Sequence, residues 1–212
     1  IRAEFPEVTV PDSSAGTSIL KNKTLWLCVA VIFLSGAAEN TMSQWGSSYL
    51  EAALGIPKLL GDTLGVALFS LMLGTGRTLY TRYGKHIERV LLLGSAGAVV
   101  CYVAAAICPI PAVGLIACAM TGLCTSLLWP GTLIVAADRI PKGGVVMYAL
   151  LAAGGDLGCS VVPQLIGILT DLSVAHLPGG AQAGMKLGML LGAACPLAAA
   201  FIFRKFLRER NH

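Results

Sequence analysis

The chain has 212 residues, of which 56% are hydrophobic and only 12% charged, and a formal net charge of +4. Soluble domains carry about 25% charged residues, so this composition excludes an ordinary water-soluble fold, and lipid is the solvent it suits. The small positive charge does not signal a nucleic-acid partner. Lys and Arg stand in short clusters between apolar runs, where they report membrane topology.

Residues 1–23 are polar, include Pro6, Pro11 and the segment DSSAG, and are expected to form a largely disordered linker without a core of its own. No secretory signal is visible, and the opening Ile1 is expected of a piece of a longer protein. Six apolar runs follow: 24–50, 59–76, 90–108, 112–137, about 143–170 and about 185–203. A membrane-crossing helix needs ~20 apolar residues, and all six reach or approach that length. Outer-membrane barrel strands are excluded, since those are about 10 residues long and alternate strictly. The expected organisation is therefore an all-α membrane protein with a six-helix unit over 24–204 and a basic cytoplasmic tail over 205–212.

The connections set the orientation. With six spans, the segments 1–23, 77–89, 138–142 and 204–212 lie on one side and hold all of the 15 Lys and Arg except Lys58 and Lys186. Positive residues collect on the cytoplasmic side, so both termini are expected there. Adding or removing one span would scramble this split. Small residues at four-residue spacing, Gly184, Gly188 and Gly192 in the sixth run and Gly154 and Gly158 in the fifth, mark close helix packing.

Two carboxylates stand deep inside apolar runs. Glu39 is near the midpoint of the first, where a charge costs at least ~2.5–3.5 kcal/mol unless it is protonated, paired or facing water. Asn40 and Gln44 are four residues apart, as are Glu39 and Ser43, so together they form a polar sector on one side of a helix. That sector is expected to face a cavity or another helix. Asp156 lies near the centre of the fifth run, in AAGGDLGCS, where flanking glycines leave room for a backbone, a ligand or water. Both acids are candidate proton carriers, and the alternative for each is a structural hydrogen bond between helices. Asp62 lies nearer a helix start, where an acid suits the dipole. In the fourth run, LLWPGT contains Pro130, which must break or bend the helix, and Trp129, whose ring suits either stacking on a solute or filling the bend.

The stretch GTGRTLYTRYGKHIER, from Gly74 to Arg89, resembles the short basic loop between the second and third helices of each half of a major facilitator superfamily transporter. Gly76, Arg82, Gly84 and Lys85 match that pattern, and Arg77 stands beside them; the family's acidic residue has no counterpart, Tyr80 and Thr81 standing near its place. GDLGCSVVPQLIGILTD resembles the family's eleventh helix. The resemblance implies that 1–23 is the central cytoplasmic linker and that the six runs are helices seven to twelve. It also implies a 3+3 inverted repeat and a missing N-terminal six-helix half as partner. The family's solute cavity is lined mainly by the first and fourth helices of each half. The implied solute-binding residues are thus Glu39, Asn40, Ser43, Gln44, Trp45 and Trp129, with Glu39 and Asp156 as proton-coupling candidates. Gly76, Arg77, Arg82, Gly84 and Lys85 would form the gating loop. The first and fourth runs, which correspond in such a repeat, are the ones interrupted by polar residues or by proline and glycine.

The expected function is secondary active transport of a small polar solute across a bilayer, with no cofactor. A scaffolding membrane protein is the first alternative, though it would not need carboxylates at mid-depth. An intramembrane enzyme is the second. A serine protease would want a Ser–His pair, yet no His lies in a span, and Asp62 and Asp156 stand at different depths. No ring of like charge or filter motif points to a channel. The seven cysteines lie in apolar runs without a CxxC pair, which reads as packing, not metal binding.

Overall fold

A computed structural model describes residues 19–211. The segment 1–18, most of the expected linker, lies outside the described residues. Six helices are long and apolar enough to cross a membrane, and they match the six apolar runs in order. They are α1 (Lys23–Leu54), α2 (Lys58–Arg82), α3 (Ile87–Ile107), α4 (Pro111–Arg139), α5 (Gly144–His176) and α6 (Gly180–Asn211). No strand occurs among the described residues.

Local chemistry sets the ends of α1. The Asn22 side chain accepts the amide of Thr24 at 2.9 Å and caps the first turn. At the other end Gly55 adopts a left-handed φ of 68°. Its amide donates to Glu51 and that of Ile56 to Leu50, both at 3.0 Å, a paired closure that satisfies the last carbonyls. Pro57 then prevents continuation. α2 opens with a π-helical stretch, Gly61–Gly65, in which the Asp62 carboxylate accepts the hydroxyl of Ser47 on α1. α3 follows a tight connection in which His86 takes a φ of 57°.

Proline divides α4. Its first part, Pro111–Thr125, ends before a turn, and a second part, Leu128–Arg139, follows. Pro130 cannot donate to the carbonyl of Ser126, so the ladder opens one turn before it. α5 contains Pro163 yet runs as one helix from Gly144 to His176.

α1 is the hub. It packs most extensively on α5 and also on α6 and α4, while α4 packs on α2 and α3, and α3 on α6. Exchanging α1–α3 with α4–α6 carries these pairings onto one another, as a 3+3 repeat requires, except that α5 packs on α6 while α2 and α3 barely meet. Glycines set the closest approaches. A methyl group on Gly36 would lie 2.7 Å from the carbonyl of Gly155, and one on Gly158 would run into the backbone of Phe33. In α6, Gly184 and Gly188 meet Thr170 and Ile166 of α5, and Gly192 meets Tyr102. Two buried tyrosines lock α1 to α3: Tyr102 donates to the carbonyl of Ala38 and Tyr49 to that of Ala105, each at 2.6 Å.

The basic segments gather at one end. Arg139 donates to Glu209 at 2.8 Å and stacks over Phe206 at 4.4 Å, while Arg210 pairs with the buried Glu88 at the start of α3. Residues 205–211 are therefore a helical, docked continuation of α6. Likewise α2 stays helical through Tyr83, so Arg77 and Arg82 lie on a helix and only residues 84–86 connect α2 to α3. The sequence expectation of a loop over 77–89 is too long because a paired arginine does not have to end a membrane helix.

This packing distinguishes two glycines. Gly158→Ala should lower the unfolding midpoint in detergent, at a cost of about 1–3 kcal/mol from overpacking against backbone. Gly74→Ala, where a methyl meets open space, should leave it unchanged or raise it by up to about 1 kcal/mol. Equal shifts would contradict the assignment of the α1–α5 seam.

Candidate functional site

The centre of the site follows from the break in α4. With no amide on Pro130, the carbonyl of Ser126 lacks its usual helical donor. The Nε of Arg77, on α2, donates to it at 3.0 Å. The same guanidinium then reaches across to α1, where its Nη2 donates to the two Glu39 oxygens at 3.3 and 3.5 Å. One side chain thus answers a free carbonyl in α4 and a carboxylate at the midpoint of α1. It can reach both because α2 lies close to α4 here: a methyl on Gly76 would overlap Ser126. The pair is not sealed in the core, for the side chains of Arg77 and Glu39 remain 46% and 21% exposed.

The polar sector of α1 continues along the same face. The Gln44 amide donates to Asn40 at 3.2 Å, and Ser43 is exposed beside it. The Asn40 side chain also meets the thiol of Cys159 on α5, which lies within electrostatic reach of both Glu39 and Asp156. Asp156 is exposed, and its carboxylate makes no hydrogen bond or ion pair among the described residues. Further along α1, Ser47 continues the track to Asp62 at the π-helical start of α2.

The two tryptophans have different surroundings. The Trp129 ring lies on Gly155 of α5 and Gly36 of α1, glycines that sit next to Asp156 and one turn from Glu39 and Asn40. The indole N–H of Trp45 donates to the carbonyl of Pro163 at 2.9 Å, and its ring rests on Gly167. Trp45 therefore ties α1 to α5.

The structure thus brings together Glu39, Asn40, Gln44, Asp156 and Trp129, with Ser43 at the exposed edge. Of the residues grouped as a gating loop, Arg77 stands inside this site and Gly76 supports it. Arg82 is exposed on the last turn of α2, Gly84 follows that helix, and Lys85 is exposed in the connection. Sequence reasoning missed the Arg77–Ser126–Glu39 chain and the contact at Cys159. The signal was present: Pro130 identifies Ser126 as a carbonyl without a donor, and a nearby basic residue is the natural answer. Among the described residues, no three His, Cys, Asp or Glu side chains converge as a metal site.

Six helices long and apolar enough to cross a membrane, packed about α1 as their hub, with charged and amide side chains on an open face at mid-span, define a polytopic membrane protein of transporter type. The Major Facilitator Superfamily profile matches residues 2–163, and the chain belongs to that superfamily, whose members are transporters and not enzymes. Its helices form a six-helix half of the family's fold. None of the curated proteins compared with the chain matches it.

Removing one member of the Arg77–Glu39 pair should be costlier than removing both. Arg77→Gln leaves the Ser126 carbonyl and Glu39 without a charged partner, an expected loss of about 1–3 kcal/mol. Arg77→Gln/Glu39→Gln should recover part of it. Thermal unfolding of the single and double variants in detergent measures the coupling; a strictly additive double variant would contradict it.

Proposed function

We propose that this chain is the C-terminal half, helices seven to twelve, of a secondary active transporter that moves a small polar solute by alternating access. The Arg77–Glu39 pair held on the Ser126 carbonyl carries this reading. It ties α1, α2 and α4 together at mid-membrane depth, by bonds that can break and reform as helices move, beside an open carboxylate at Asp156. Asn40, Ser43 and Gln44 supply hydrogen-bonding groups for solute, and Trp129 supplies a flat apolar surface. The polar face of α1 would look toward an N-terminal six-helix half, with the solute bound between the two.

Coupling to protons is part of the proposal. Glu39 is held by Arg77 and acts with it as a lock, whereas the exposed Asp156 carboxylate has no partner among the described residues and is the proposed proton carrier. The reading makes the protein a symporter-type permease of the cell membrane, with the basic end and both termini in the cytoplasm.

The test uses the full-length protein in proteoliposomes with an imposed pH gradient, screening sugars, nucleosides, amino acids and drug-like amines. Solute-dependent proton flux is expected in the wild type. Asp156→Asn should abolish that flux yet retain solute exchange, while Glu39→Gln should slow both by about tenfold or more. Full proton flux in Asp156→Asn would overturn the coupling assignment, and absence of uptake for every solute would count against transport of these classes.

A further inference from the structure

Beside the polar site, an apolar groove of about 400 Å³ lies between α2, α3 and α4 toward the basic end of the bundle. Leu79 and Tyr80 of α2, Val90 and Leu93 of α3 and Leu123 of α4 line it. It exists because α2 and α3 barely pack on each other, whereas α5 and α6, their counterparts in the second repeat, pack extensively. The repeat therefore predicts a helix contact here, and the structure has a gap. Leu93 is 72% exposed beside it. An apolar gap left empty within a bilayer forfeits dispersion contacts on every wall.

The mouth of the groove identifies its occupant. Gly84 and Val90 line the groove and bracket Lys85 in the connection and Arg89 on the first turn of α3, both exposed. The nearest carboxylates are Glu88 and Asp138, both in electrostatic reach of Tyr80. Glu88 is turned inward to Arg210, which leaves Asp138 as the exposed acid near Lys85 and Arg89. Apolar walls below and positive charge at the rim are the two halves of one ligand chemistry. We propose that this groove is a binding site for an anionic phospholipid, with an acyl chain between α2 and α3 and the headgroup phosphate at Lys85 and Arg89. A basic residue at a membrane surface contributes about fivefold to binding of an anionic headgroup. Two such residues should therefore favour an anionic lipid over a zwitterionic one by tenfold or more. The groove shares Gly76 and Ser126 with the Arg77 anchor, but Arg77 and Glu39 do not line it, and the proposal does not rest on the transport reading.

Native mass spectrometry of the purified full-length protein tests this, titrating dioleoyl phosphatidylglycerol against dioleoyl phosphatidylcholine. The wild type should retain phosphatidylglycerol at least tenfold more tightly. Lys85→Ala/Arg89→Ala should bring phosphatidylglycerol down to the phosphatidylcholine level and leave phosphatidylcholine unchanged. Leu93→Trp, an exposed position where folding is not at stake, should fill the groove and remove both adducts. Equal retention of the two lipids by the wild type, or phosphatidylglycerol retained in full by Leu93→Trp, would overturn the proposal. A dimer that Leu93→Trp abolishes would also overturn it, because the occupant would then be a second copy.

Discussion

Pro130 has no amide hydrogen, and the Ser126 carbonyl one turn before it is consequently left without its helical donor at a buried residue. The structure answers from a neighbouring helix. Arg77 donates its Nε to that carbonyl and is thereby held where its Nη2 meets Glu39. A carboxylate at mid-span, costly by itself, becomes tolerable because a proline elsewhere in the chain recruited its counter-charge. The same break starts a new helix at Leu128 and places Trp129 on the glycine seam between α1 and α5.

The remainder of the fold keeps α1 in position for that pairing. Its apolar face is sealed by glycine contacts with α5 and by the two tyrosine bonds to α3. Its polar face, from Glu39 through Gln44 to Ser47, stays open. Hydrophobic burial alone gives little reason for helices to associate in lipid, so close backbone approach and interhelical hydrogen bonds carry that task. At the basic end, Arg139, Glu209, Arg210 and Glu88 close the bundle by linking α3, α4 and α6. The charges at that end are thus partly structural, while Lys85 and Arg89 are exposed.

Much of this was readable in the residues. The six helices, their order and the glycine seams follow from apolar length and four-residue spacing, because in lipid every backbone group must be satisfied within a helix. The polar sector of α1 was legible from the spacing of Glu39, Asn40, Ser43 and Gln44. Helix ends were less so: Arg77 looks like the start of a loop when charge is taken as the boundary, and only its partners show why α2 continues. The anchoring of Trp45 to Pro163 joins positions 118 residues apart, a distance over which local pattern says nothing. The docking of the basic end of α6 is hidden for the same reason.

The central claim is that the polar face of α1 lines a water-filled path at mid-membrane depth. Its most direct test is the accessibility of single cysteines to a membrane-impermeant thiol reagent, in the full-length protein with its native cysteines replaced. Ser43→Cys and Gln44→Cys should react readily, while Leu93→Cys and Val100→Cys on the lipid-facing side of α3 should not. Silence at Ser43 and Gln44, with reaction at positions near the helix ends, would mean that this face is packed against protein or lipid and would contradict the account.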